Sequence, residues 1–241
     1  MLNYTFDWSV IWRHPYGGWL LEGILITIQL SILAWGIALF LGVIIASLRN
    51  LPQKWVKAVA AAYVETFRNI PLLVQLFFWY FAAPELLPYS ARQWLYQNIE
   101  PTTLSYYTAI ISLSLFTSSR IAEHARSGFS SIPKGQYLAA FSTGLNTLQV
   151  YRYVIIPYTI RVFIPPLTTE FVTIFKNSAL AMTLGVTETT FMSQRIDSYT
   201  FHGLEATIGA MVIYLLISLS VSGLMGFVER FLYIPGLIRK R

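Results

Sequence analysis

The chain has 241 residues, of which 55% are hydrophobic and 12% are charged, and its formal net charge is +6. A soluble domain carries about 25% charged residues, so the composition indicates an integral membrane protein without room for a separate catalytic domain. The absence of cysteine from the sequence excludes disulfides, thiolate metal sites and cysteine nucleophiles. The sequence also lacks phosphate-loop, nucleophile-elbow and zinc-peptidase motifs, so we expect neither an enzyme nor a metal site.

Five largely apolar runs have about the length that is needed to cross a hydrocarbon core of about 30 Å, which takes roughly 20 residues. The first and the last contain no charged residue, whereas the other three contain a few. The fold class predicted from these runs is all-α, a polytopic membrane protein with five transmembrane helices. The predicted spans within a transmembrane domain of residues 22–230 are 23–48, 58–84, 104–122, 162–184 and 206–228.

Basic residues cluster after alternate spans. Lysine and arginine follow the first and third spans and end the chain, whereas most of the charged residues in the two other loops are acidic. The positive-inside rule therefore places residues 1–21 outside, and the loop 132–157 and the basic tail 231–241 in the cytoplasm. The same placement accounts for the positive net charge without a nucleic-acid partner.

The cytoplasmic loop 132–157 begins with a segment that is suited to contact another protein. Gln136 to Thr143 can form a short helix on which Ala139 and Ala140 leave a low surface for close approach. Gly144 can adopt the positive φ that ends such a helix.

A second short helix is predicted directly after Gly144. Asn146 and Gln149 form a capping-box pattern for a helix through Tyr153, and Pro157 is expected to separate this helix from the next span. An ordinary helix-turn-helix connector would show the same pattern, so the periodicity alone does not decide between a docking element and a connector.

Ionisable residues inside predicted spans are candidates for a substrate pathway, because charge at membrane depth is costly and usually faces a cavity. Glu65 and Arg68 are three residues apart and can pair on one helix face. The fourth span is expected to be broken at Pro165-Pro166, which would expose carbonyls to a cavity. The polar residues of that span are Thr168, Thr169, Glu170, Lys176 and Asn177.

The cytoplasmic loop resembles that of the permease subunits of ATP-binding-cassette importers. Their signature reads Glu-Ala-Ala, three residues, Gly, then Ile-x-Leu-Pro about ten residues later, and its matches here are Ala139, Ala140, Gly144, Ile155 and Pro157. Leu138 stands where the family usually has Glu, and Ile156 replaces Leu. Segments 63–75, 133–136, 176–180 and 185–188 are similar to the polar amino acid uptake branch, and 79–81 and 84–88 to its glutamate/aspartate permeases.

This resemblance implies a transport function for the chain. The loop, including Gly135, Gln136 and Leu138, would be a coupling helix that docks on nucleotide-binding subunits, which bind ATP and Mg²⁺; the chain itself would carry no cofactor. A second permease chain, identical or related, and an external solute-binding protein would complete the importer in a bacterial inner membrane. Arg120 would bind the substrate carboxylate, although a basic residue near a span end is also an ordinary interface anchor.

Two other functions fit part of the pattern. An ion-coupled secondary transporter would use the charged residues inside the spans as a relay, but the chain shows no internal repeat and has the cytoplasmic loop. A membrane scaffold that recruits a soluble protein would need only the loop. Charged residues inside spans count against a scaffold, because each costs about 2.5 to 3.5 kcal/mol on insertion scales.

Overall fold

The computed structural model describes residues 4–231, and within that range the secondary structure is helical. The α-helices are α1 (Tyr16–Arg49), α2 (Lys54–Asn69), α3 (Leu72–Phe77), α4 (Tyr89–Asn98), α5 (Pro101–Ser130), α6 (Lys134–Ser142), α7 (Thr147–Val150), α8 (Ile156–Asn177), α9 (Thr189–Thr200) and α10 (Gly203–Phe231). Short 3-10 helices cover Trp8–Ile11, Ala83–Leu86 and Ser178–Leu184, and π-helical turns cover Phe78–Ala82 and Tyr151–Ile155. The all-helical prediction is confirmed for this range.

Helices α1 and α10 are long and apolar enough to cross a membrane, with mean hydropathies of 2.3 and 2.2 in their most apolar stretches. Helices α5 and α8 have 30 and 22 residues, which is sufficient length, but they carry more polar side chains. The basic tail predicted for 231–241 lies outside the described residues except for Phe231.

Helices α1 and α5 form the main packing contact of the bundle. The buried face of α1 consists mostly of small residues, which lets the two backbones approach closely. A Cβ added to Gly42 would lie 2.5 Å from Ile121 Cγ2 on α5. The Ser114 hydroxyl of α5 donates to the Ala34 carbonyl of α1 at 3.2 Å. These contacts make the α1–α5 pair the scaffold on which the other helices pack.

A central apolar core joins α1, α3, α5, α8 and the 3-10 helix Ser178–Leu184. It includes Leu30, Leu76, Leu113 and Ile174, each of which is almost completely buried. The core therefore fixes the position of α8, which carries most of the polar residues predicted for the pathway.

The N-terminal segment packs against the beginning of α10. The Asp7 N–H donates to Glu205 Oε1 at 2.7 Å, and the Tyr4 hydroxyl donates to Glu205 Oε2. The hydrogen bond to Glu205 raises the pKa of Tyr4. Val10 is completely buried against Leu20 and Ile196. These contacts hold the segment before α1 against the rest of the bundle.

The predicted break at Pro165-Pro166 is wrong, because α8 continues through both prolines. Each proline removes a backbone donor, but packing against neighbouring helices allows a membrane helix to continue through it. The backbone break occurs instead in the second predicted span, where α2 ends at Asn69 and Ile70 is extended before Pro71.

Candidate functional site

Arg120, His124 and Glu170 form a polar cluster between α5 and α8. Arg120 Nε donates to Glu170 Oε2 at 2.8 Å, and His124 Nε2 lies 3.0 Å from Glu170 Oε1. The Glu170 side chain is 2% exposed, whereas those of Arg120 and His124 are about one-third exposed. Arg120 and His124 are one helical turn apart on α5, so both reach the same carboxylate.

This cluster changes the role that Arg120 can have. Glu170 neutralises the guanidinium in the described arrangement, so a substrate carboxylate would have to compete with it for Arg120. A buried carboxylate without a partner is strongly destabilising, which gives Arg120 a structural role in its own right. The structure thus brings together two predicted pathway residues, Arg120 and Glu170, and adds His124, which the sequence analysis did not single out.

Lys176 lines a cavity of about 690 Å³ between α8, α9 and α10. Its side chain is exposed and has no hydrogen-bond or ion-pair partner among residues 4–231. Polar side chains of α9 and α10 line the same cavity, among them Thr190, Gln194 and Tyr214. A cation without a competing carboxylate, beside neutral hydrogen-bonding groups, is suited to bind an anionic group.

A buried hydrogen-bond network borders this cavity. Tyr214 donates to Glu188 Oε2, and Glu188 Oε1 accepts from the Phe191 N–H at 2.8 Å at the start of α9. Thr27 and Thr189 are joined by their hydroxyls at 2.9 Å. Sequence reasoning missed this network, because its members come from three distant segments of the chain. The available signal was the resemblance of segment 185–188, which includes Glu188 but does not indicate its partners.

Glu65 and Arg68 are paired as predicted, with Arg68 Nη2 3.5 Å from Glu65 Oε2. Arg68 also lies 3.8 Å from Glu123, which binds Arg49 and Arg126 at 2.5 Å each. Glu123 therefore joins α1, α2 and α5 in a charge cluster that the sequence did not reveal. Within residues 4–231, no group of three His, Asp or Glu side chains is placed to hold a metal ion.

The other polar residues predicted on α8 do not join one site. Thr168 Oγ1 donates to Glu229 Oε1 of α10 at 2.5 Å, which links the two helices. Thr169 is exposed, and Asn177 is partly exposed at the end of α8. Neither Thr169 nor Asn177 lines the Lys176 cavity.

Helix α6 in the loop 132–157 carries apolar side chains that are exposed on the protein surface. Leu138 is 68% exposed and Phe141 44%, and Ala139 is also exposed. Ala140 is only 6% exposed, because it packs against Ile132, Val150 and Ile155. The prediction that Ala139 and Ala140 share one open surface is therefore wrong for Ala140, which anchors α6 to its own loop.

The turn after α6 has the predicted geometry. Gly144 has φ +81°, and the side chains and backbones of Asn146 and Gln149 form a reciprocal capping box. The prediction for Pro157 is wrong, because α7, the turn Tyr151–Ile155 and α8 form one continuous helical run. Pro157 lies inside this run, where the π-helical turn Tyr151–Ile155 passes into α8. Gly135 is exposed, and Gln136 borders a cavity behind α6.

Comparisons with known proteins agree with this arrangement. The chain is 35% identical to the glutamate/aspartate import permease protein GltJ of Escherichia coli K12, over 98% of both chains. It is 32% identical to the glutamine transport system permease protein GlnP of the same organism, over 93% of this chain and 97% of that one.

A solved amino acid ABC transporter, crystallised with histidines, has a chain that superposes with a TM-score of 0.80 at 30% identity, over 94% of this chain and 99% of that one. Residues 38–232 match the family described as binding-protein-dependent transport system inner membrane component. Such chains are inner-membrane transport subunits and not enzymes, and they work with a separate ATPase and a second permease chain. The chain belongs to this family of ATP-binding-cassette transporter permeases.

Proposed function

We propose that this chain is a permease subunit of an importer that moves glutamate or aspartate into the cytoplasm. The observation that carries the proposal is the similarity to a glutamate/aspartate permease over nearly the whole length of both chains. An external solute-binding protein would deliver the amino acid, and two ATPase subunits that bind ATP and Mg²⁺ would supply the energy. The second permease chain would be a copy of this one or a related chain.

The proposed membrane arrangement has five spans. They are α1, the interrupted α2–α3 region, α5, α8 and α10, with the N-terminus outside and α6 in the cytoplasm. The lengths of α5 and α8 and the alternation of basic loops support this topology. Charged and polar side chains on α5 and α8 pair with each other, as at Arg120 and Glu170, and so avoid lipid.

The proposed coupling element is α6. Its exposed Leu138 and Phe141, together with Leu148 in the next helix, form an apolar surface that a soluble protein rarely leaves open. We assign this surface to the ATPase. Leu138 replaces the acidic residue of the family signature, so the contact here would be apolar where relatives use a charge.

Lys176 is the cation that we assign to the substrate carboxylate. Arg120 is already bound to Glu170, whereas Lys176 lines a cavity of about 690 Å³ and has no partner among the described residues. Glutamate carries a side-chain carboxylate that glutamine lacks, so a free cation in the pathway would favour glutamate. The ion-coupled transporter and the scaffold are not supported by the family assignment.

The proposal is tested with the permease and its ATPase in nanodiscs, with ATP hydrolysis measured as the loaded binding protein is added. We expect hydrolysis to rise with glutamate-loaded protein. Lys176→Met should raise the half-maximal glutamate requirement for transport by about tenfold to a hundredfold, and that for glutamine by less. Lys54→Met, a change at a basic residue outside the pathway, is the matched control. An unchanged ratio of glutamate to glutamine transport in Lys176→Met would contradict the assignment of Lys176.

A further inference from the structure

The segment before α1 carries a row of aromatic rings that the bundle does not cover. The rings of Phe6 and Trp8 are parallel within 7°, with centroids 6.3 Å apart, and the Tyr4 centroid lies 5.1 Å from that of Phe6. His202, between α9 and α10, ends the row, with its ring centroid 6.1 Å from that of Tyr4. Phe6 is 61% exposed and Trp8 is 46% exposed. We call these four rings the aromatic row.

The row is fixed in place by contacts on its other side. Val10 is completely buried in an apolar cluster that joins α1, α9 and α10. The buried carboxylate of Glu205 accepts hydrogen bonds from the Asp7 N–H and the Tyr4 hydroxyl. Turning the rings toward the bundle would break these contacts, so the exposure of the row is part of the folded structure.

Two further exposed rings lie close to the ends of the row in the sequence. Trp12 is 79% exposed, and Phe201, directly before His202, is 84% exposed. Phe201 has φ +58°, a backbone conformation that is strained for a bulky residue, and its ring packs little against the bundle. The indole N–H groups of Trp8 and Trp12 have no hydrogen-bond partner within residues 4–231. Packing within the chain therefore does not account for these side chains.

The charge pattern gives the level of the row relative to the proposed spans. Glu205, which binds the segment, is directly followed by the uncharged run 206–228 of α10. On α1, the uncharged run 23–48 begins about two turns after the helix starts at Tyr16. Both helices thus place the row where the spans enter the hydrocarbon core, at one surface of the membrane.

The side chains at this level suit lipid better than a soluble protein. Tryptophan and tyrosine combine an apolar ring with a polar group, which favours the headgroup region of a bilayer. Phe6 and Phe201 have no polar group and need apolar surroundings. A solute-binding protein that dissociates in each cycle would leave these rings in water, whereas lipid covers them at all times.

We propose that the aromatic row, together with Trp12 and Phe201, binds the lipid headgroup and glycerol region, in the outer leaflet of the proposed arrangement. The phenylalanine rings insert beside the acyl chains, and the indole N–H groups donate to lipid ester or phosphate oxygens. Glu205 connects this contact to α10, so lipid fixes the turn between α9 and α10, two helices that line the Lys176 cavity. The proposal goes beyond transport and depends only on the proposed spans.

The test measures the depth of single spin labels in the bilayer, which is possible because the chain has no native cysteine. Trp12→Cys, Phe201→Cys and Ser90→Cys are labelled in the permease–ATPase complex, in nanodiscs of phosphatidylethanolamine and phosphatidylglycerol. Accessibility to oxygen and to a water-soluble nickel chelate gives the depth. We expect the labels at 12 and 201 to lie about 5–10 Å below the lipid phosphates. The label at Ser90, an exposed serine of α4, should lie above them.

A variant of the row tests whether its rings hold the segment in the lipid. Phe6→Ser combined with Trp8→Ser should move the label at 12 toward water, by about the 5–10 Å that the apolar face is inserted. Trp94→Ser, at an aromatic residue of α4 that is 58% exposed, is the matched control and should leave the depth unchanged. If Trp12→Cys does not assemble, the label at 201 decides in the same variants.

Labels that lie above the phosphates and react freely with the nickel chelate would overturn the proposal. Shielding that appears only when binding protein is added would assign the row to that protein. Shielding from both reagents with spin–spin broadening would assign it to a second permease copy. An unchanged depth in the double variant would also contradict the lipid contact. Failure of the proposed transport function is recognised separately, by a lack of stimulated ATP hydrolysis, and would not change the depth of the labels.

Discussion

Arg120 on α5 and Glu170 on α8 form an ion pair, with Arg120 Nε 2.8 Å from Glu170 Oε2. The pair joins the two helices that carry most of the residues predicted for the pathway. Glu170 is nearly inaccessible, so its charge depends on Arg120 and His124 for compensation. Movement of α5 relative to α8 during transport would have to keep or exchange these contacts.

The first prediction concerns the stability that depends on this pair. Arg120→Gln leaves Glu170 with its contact to His124 and without the guanidinium. The change should lower the free energy of unfolding by about 3 kcal/mol, at the low end for a buried pair because Arg120 is partly exposed. The double variant Arg120→Gln/Glu170→Gln should recover most of this loss. Denaturant unfolding of the purified chain measures both. A double variant as unstable as the single one would show that the pairing is not the cause.

The second prediction separates docking from packing in α6. Leu138→Asp places a charge on an exposed apolar position and should abolish stimulated ATP hydrolysis while thermal stability stays unchanged. Ala140→Arg should instead lower the melting temperature, because Ala140 is buried against Val150 and Ile155. Leu86→Asp, at a position of similar exposure outside the loop, serves as the control. Normal ATPase stimulation in Leu138→Asp would remove α6 from the interface.

The third prediction concerns the contact between α1 and α5. Gly42→Val should destabilise the chain by about 1–3 kcal/mol or more, because a Cβ at that position lies 2.5 Å from Ile121 and 3.1 Å from the Ser118 carbonyl. Gly36→Val on the same helix has open space and should change stability little. Equal unfolding free energies for the two variants would contradict the close packing.

The fourth prediction concerns orientation in the membrane. The chain has no native cysteine, so single cysteines can be labelled selectively. Ser90→Cys in α4 should react with an impermeant thiol reagent in cells with an intact inner membrane, whereas Ser142→Cys at the end of α6 should react only after permeabilisation. The opposite labelling pattern would place α6 outside and exclude its contact with an ATPase.

Local rules predicted several features correctly. The capping box of Asn146 and Gln149, the positive φ of Gly144 and the Glu65–Arg68 pair all depend on residues within four positions of each other. Helical content also followed from the apolar runs, which are long enough to dominate local propensity.

Features that depend on tertiary contacts were not predicted. Proline was expected to break α8, but packing against neighbouring helices keeps it continuous, whereas the backbone is extended just before Pro71 in the second predicted span. The contacts of Glu170 with His124 and of Glu123 with Arg49 join residues 46 and 74 positions apart, which periodicity cannot reveal. Burial of Ala140 also depends on the fold of the whole loop.

The most direct test of the transport function uses proteoliposomes that contain the permease, its ATPase and the loaded binding protein. We predict that radiolabelled glutamate accumulates inside only when all three proteins and ATP are present, and that dissipating proton and sodium gradients has no effect. Uptake that continues without the ATPase and follows an ion gradient would contradict the account.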